Sequence, residues 1–94
     1  MQEIIFVKKK LATGEWCAKC IDVSNRLEKD GTLRYIDRIV VADVNDAQSE
    51  GIQLALKHNM DRAPFFIVTD SNTTQIFDVY FKFKRHMQRF ATAA

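Results

Sequence analysis

Three short, unbroken apolar runs limit what this 94-residue chain can fold into: Ile4-Ile5-Phe6-Val7, Ile39-Val40-Val41 and Phe65-Phe66-Ile67-Val68. Each is too short for a helix and rich in β-branched or aromatic side chains, so each reads as a strand. The first spans Glu3 to Val7, and the second Ile36 to Val44, where continuous apolarity suits a parallel strand covered on both faces. The third is opened by Pro64, the only proline. Asp70-Ser71-Asn72 then turns the chain into a fourth strand, Thr74 to Val79.

Helical patterns fill the gaps. After a loop from Lys9 to Trp16 with Thr13-Gly14 at its turn, Cys20, Val23 and Leu27 recur at helical spacing. This predicts a helix over 17–29, stopped by Asp30-Gly31 with glycine in the left-handed cap. Asn45-Asp46 is an N-cap signal for a second helix over 47–58, which Asn59 closes. Gly51 inside it costs about 1 kcal/mol relative to alanine. A third helix over 80–90 aligns Tyr80, Phe83, Met87 and Phe90 on one stripe, which must pack on the sheet. The order β-α-β-α-β-β-α describes an α/β fold, a four-stranded mixed sheet flanked by three helices, in a single domain over 1–94.

Composition narrows the function classes. At 47% hydrophobic with seven phenylalanines, the chain can bury a real core, and its formal charge of +2 gives no strongly basic stripe for nucleic acid. Lys8-Lys9-Lys10 is the one run of like charge and reads as a solvated strand end. No segment has the apolar length of a membrane span, and Ile4 to Val7 is too short for a signal-peptide core. The expectation is a cytoplasmic monomer without nucleic-acid or membrane partners.

Cys17 and Cys20 are the only cysteines, separated by Ala18-Lys19 at the start of the first helix. One helical turn brings two such sulfurs within bonding range, so the pair can cycle between dithiol and disulfide. Free N–H groups at the helix start favour a thiolate at the first position, and Lys19 adds positive charge. His58 and His86 stand 38 and 66 residues beyond Cys20, without the close histidine spacing of a zinc finger, so no metal site is expected.

This order of elements, with a Cys-x-x-Cys at the first helix and a proline opening the third strand, resembles the thioredoxin and glutaredoxin superfamily. Glu15-Trp16-Cys17 with Cys20 is similar to the thioredoxin active-site stretch. Asp43-Val44-Asn45-Asp46 resembles the end of the strand before the second helix, and the segment 57–64 resembles the approach to the family's cis-proline. The resemblance implies a thioredoxin-like fold and a cis Pro64. It also implies a substrate-binding surface of Trp16, Arg62, Ala63 and Pro64, with the Ala63 backbone pairing with an extended substrate.

Departures from the pattern stand beside the matches. Thioredoxins carry a buried aspartate behind the disulfide. Aligned on the apolar run, that position falls at Lys8, and counted back from Trp16 it falls at Leu11. Neither is a carboxylate, and Asp78-Val79-Tyr80 lacks the glutaredoxin Gly-Gly pair, which also argues against a shared iron–sulfur cluster. The expected activity is thiol-disulfide exchange, with Cys17 as nucleophile, Cys20 as resolving thiol and Lys19 modulating. It needs no bound cofactor. Its partners are protein or small-molecule disulfides, with a reductase or a glutathione-type thiol recycling the protein. The alternative is a non-catalytic adaptor of the same fold, its cysteine pair inert or redox-gated.

Overall fold

The computed structural model describes residues 2–93, with side chains through residue 88. Its elements are β1 (Glu3–Lys10), α1 (Ala18–Lys29), a 3-10 turn (Thr32–Tyr35), β2 (Arg38–Asp43), α2 (Glu50–Lys57), β3 (Phe65–Thr69), β4 (Thr74–Phe77) and α3 (Tyr80–Ala93). The sheet order is β2-β1-β3-β4. β1 runs parallel to β2 and antiparallel to β3, and β4 pairs antiparallel with β3.

Alternation along β1 and β3 divides the core in two. Ile4, Phe6, Phe66 and Val68 face α1 and α3, meeting Val23, Leu27, Tyr80, Phe83 and Met87. Ile5, Val7, Phe65 and Ile67 face the other way, with Val40 and Ala42 of β2 and the apolar side of α2. The expected stripe of α3 is buried at Tyr80, Phe83 and Met87. The side chain of Phe90 lies outside the described residues.

β2 departs from the expectation of cover on both faces. It is an edge strand, and Ile39 remains 50% exposed. Ile39 pairs with Phe6, which puts it on the α1/α3 face. Among the described residues, the buried ones of that face come from β1, β3 and the two helices, and Ile39 is not among them.

Helix ends follow local chemistry. Gly31 (φ 73°) follows α1, and its N–H bonds the Glu28 carbonyl. Asn59 (φ 58°) follows α2, with Met60 N–H on the Ala55 carbonyl and Asn59 N–H on that of Leu56, a Schellman closure. The start of α2 differs from the expectation at Asn45-Asp46: Ser49 is the cap residue. Residues 43–49 instead form linked turns, in which Ser49 Oγ accepts the Asp43 N–H at 3.0 Å. Gly51 stays helical because α2 crosses β2 there, where a Cβ would overlap the Val41 and Ala42 backbone.

β1 also runs three residues past the expected Val7. Lys8, Lys9 and Lys10 pair with Val41, Ala42 and Asp43 of β2. The chain then doubles back tightly, with Leu11 N–H on the Glu15 carbonyl and a backbone bridge between Lys10 and Trp16.

Candidate functional site

That doubling-back delivers Cys17 to the mouth of α1. The Cys17 N–H donates to the Lys9 carbonyl at 3.1 Å, tying the first cysteine to the sheet. Cys17 is the N-cap residue of α1, which has no side-chain cap and no acidic residue in its first turn. The open N–H groups at this helix start are therefore left to the sulfur.

The two thiols are both free and differ in environment. Cys17 is half-buried, whereas Cys20 is 1% exposed, one turn inside and facing β1. Burial raises the Cys17 pKa. Against it act the Cys20 main chain and side chain, the Lys19 N–H and the charge of Lys9, and together they leave Cys17 below the ordinary thiol value. For Cys20, burial dominates and pushes the thiol up to about 11. The Lys9 N–H, 3.2 Å from its sulfur, opposes that rise, and negative charge on Cys17 adds to it. The two thiols are thus shifted in opposite directions, Cys17 down and Cys20 up.

The Ala63–Pro64 peptide is cis. Pro64 is buried and immediately precedes Phe65, whose partner across the ladder is Val7, so the next residue along β1 is Lys8. By alternation from Phe66, Pro64 belongs to the sheet face that carries α1. Ala63 and Arg62 line a cavity of about 110 Å³ with Lys9, Met60 and Phe65, on the α2 side. Arg62 itself is exposed and 3.8 Å from Asp61. Lys9 joins the two regions, its N–H on Cys20 while the residue also lines this cavity.

Trp16 is 37% exposed rather than buried under the loop, and the Lys8 ammonium lies over its ring, 4.1 Å from the centroid. Lys19 is exposed and acts on Cys17 through its main-chain N–H. The cation whose field reaches Cys17 is Lys9. In sequence the lysine run reads as a solvated strand end. Continuing the strand alternation past Val7 would have separated Lys8, facing α1, from Lys9, facing α2.

A larger cleft of about 430 Å³ lies between α1 and the start of α3, lined by residues including Arg26, Lys29, Asp30, Tyr80 and Lys84. It holds neither cysteine. Its Asp30 is engaged by the Tyr80 hydroxyl and by Lys84, which ties the two helices together. Among the described residues, no group of three or more His, Cys, Asp or Glu could hold a metal ion. No helix among them is long and apolar enough to cross a membrane.

Comparison with solved structures decides the architecture. The structure is similar to that of Fasciola hepatica thioredoxin, with a TM-score of 0.56 over 93% of this chain and 80% of that one, at 20% sequence identity. The chain has a thioredoxin-like fold. Within it, Cys17 and Cys20 form a Cys-x-x-Cys pair at the start of α1. No family model and no curated protein matches the sequence.

Proposed function

We propose that this chain is a small thiol-disulfide oxidoreductase that reduces disulfides in protein or small-molecule substrates. The observation that carries this reading is the asymmetry of the pair: Cys17 half-open at an uncapped helix mouth, Cys20 buried one turn inside. In the first step the Cys17 thiolate attacks one sulfur of the substrate disulfide. A Cys17–substrate bond forms, and the second substrate sulfur leaves as thiolate. Cys20 then loses its proton and attacks Cys17 Sγ, forming the Cys17–Cys20 disulfide and releasing the remaining substrate thiolate. Substrate has gained two electrons and the protein has lost them.

The same asymmetry times the second step. Part of what holds Cys20 protonated is the charge on Cys17. Once Cys17 is bonded to substrate, that charge is gone, and Cys20 ionises more readily when its thiolate is needed. Trp16, Arg62, Ala63 and Pro64 are assigned to substrate contact, with the Ala63 backbone open to an extended segment. A reductase or a glutathione-type thiol would restore the dithiol, and the reducing direction suits a cytoplasmic setting.

Insulin reduction driven by dithiothreitol tests the reading. Wild-type protein should accelerate precipitation well beyond the uncatalysed rate, and Cys17→Ser should return it to that rate. Equal rates for the two proteins, with slow alkylation of Cys17 at neutral pH, would support the adaptor reading instead.

A further inference from the structure

Cys20 is not sealed on every side. It borders a cavity of about 190 Å³ whose other walls are Lys8, Trp16, Ile21, Ser24 and Asn25. No carboxylate lines it. Of the two positions that sequence alignment offered for a buried acid, Leu11 sits in the turn after β1, bonded through its N–H to Glu15. Lys8 occupies the strand position on the cysteine face. Its ammonium lies over the Trp16 ring at 4.1 Å, and both residues line the cavity that Cys20 borders.

We infer that Lys8 is a positioning residue for the resolving step, its ammonium, docked on Trp16, stabilising the Cys20 thiolate as that thiolate forms. This rests on the oxidoreductase reading and says how this chain performs the second step without a buried acid. The proton of Cys20 passes to solvent. The sulfur's electron pair then forms the bond to Cys17 Sγ as the substrate thiolate departs.

The groups facing Cys20 are few. From β1 they are the Lys9 N–H and Lys8, and from the helix mouth Cys17. Ser24 and Asn25 on α1 are neutral. Tyr80 of α3, on the same sheet face, is engaged with Asp30 at the opposite end of α1. Lys8 is the cation that shares the cavity, and its field favours ionised Cys20.

The test uses the intact protein and a chromogenic aryl disulfide. The first thiolate released reports attack by Cys17, and the second reports displacement by Cys20. In Lys8→Met the second phase should slow by about threefold to tenfold at pH 7–8, the range expected for removing one nearby, partly solvated charge. The first phase should stay within about twofold. Lys8→Arg, which keeps charge and ring stacking, should restore the second phase. An unchanged second phase in Lys8→Met, or equal slowing in Lys8→Arg, overturns the proposal. Should Lys8→Met not fold, wild-type protein decides: raising ionic strength from about 0.05 to 1 M should slow the second phase, and an unchanged rate overturns the proposal. Insulin reduction in the same preparations keeps the outcomes separable. Absent turnover in wild type sinks the oxidoreductase reading, whereas intact turnover with a Lys8-independent second phase sinks only this inference.

Discussion

The two ends of α1 are finished in opposite ways. At its C-terminus, Gly31 takes the left-handed conformation, its N–H caps Glu28, and Asp30 is gripped by Tyr80 and Lys84 of α3. At its N-terminus no side chain caps the helix, and the first turn holds no acid. At one end the Arg26 and Glu28 carbonyls are paired within the fold. At the other, the open N–H groups are left to a sulfur. One helix thus leaves its start open beside a cysteine while its far end is tied to α3.

The largest effect should come from Cys20→Ser. Cys17 would still attack, but no internal thiol would displace the product, so without added thiol the mixed disulfide should accumulate and the second release slow by about 100-fold or more. Mass spectrometry of the trapped adduct checks this, and an unimpaired second release would break the division of labour between the thiols.

The pH profile should separate the two thiols. Attack by Cys17 should level off below the ordinary thiol value, because its pKa is lowered. Release by Cys20 should keep rising after attack by Cys17 has levelled off, by up to about tenfold per pH unit, since burial raises its pKa. Because the charge of Cys17 is lost in the mixed disulfide, the midpoint measured there should fall below that of the free dithiol. The sign for stability follows: the raised Cys20 pKa favours the reduced fold below about pH 9, and that contribution disappears as pH climbs through 11.

A smaller effect is expected from the cations. Lys9→Gln should slow Cys17 alkylation at pH 7 by about twofold to threefold, through lost electrostatic support for the thiolate. Lys19→Gln should change it less, because Lys19 contributes its main-chain N–H, which the substitution keeps. At the opposite end, Tyr80→Phe should lower the thermal midpoint by a few degrees and leave both exchange phases untouched. A loss of exchange rate there would show that the two ends are not separable.

Much of this was legible in the chain. The apolar runs named the strands, Gly31 and Asn59 marked helix ends by their tolerance of positive φ, and the spacing of Cys17 and Cys20 marked the site. What escaped was decided mostly by partners distant in sequence, and once by local turns. Lys8 to Lys10 look like the end of a strand because charge interrupts the apolar run, yet β2 lies beside them and the pairing continues. Gly51 looks like a flaw in a helix until β2 is seen passing beneath it. Ser49, not Asn45, begins α2 because the intervening residues close turns of their own.

The clasp between Lys10 and Trp16 has one more consequence. Everything between those residues is a peninsula, exposed at Thr13 and Gly14 and held beyond its neck by the Asn45 side chain, which donates to the Ala12 carbonyl at 2.9 Å. Residues could be gained or lost at its tip without moving either sulfur. Such a tip is a natural place to graft a recognition peptide that would bring chosen targets to the thiols.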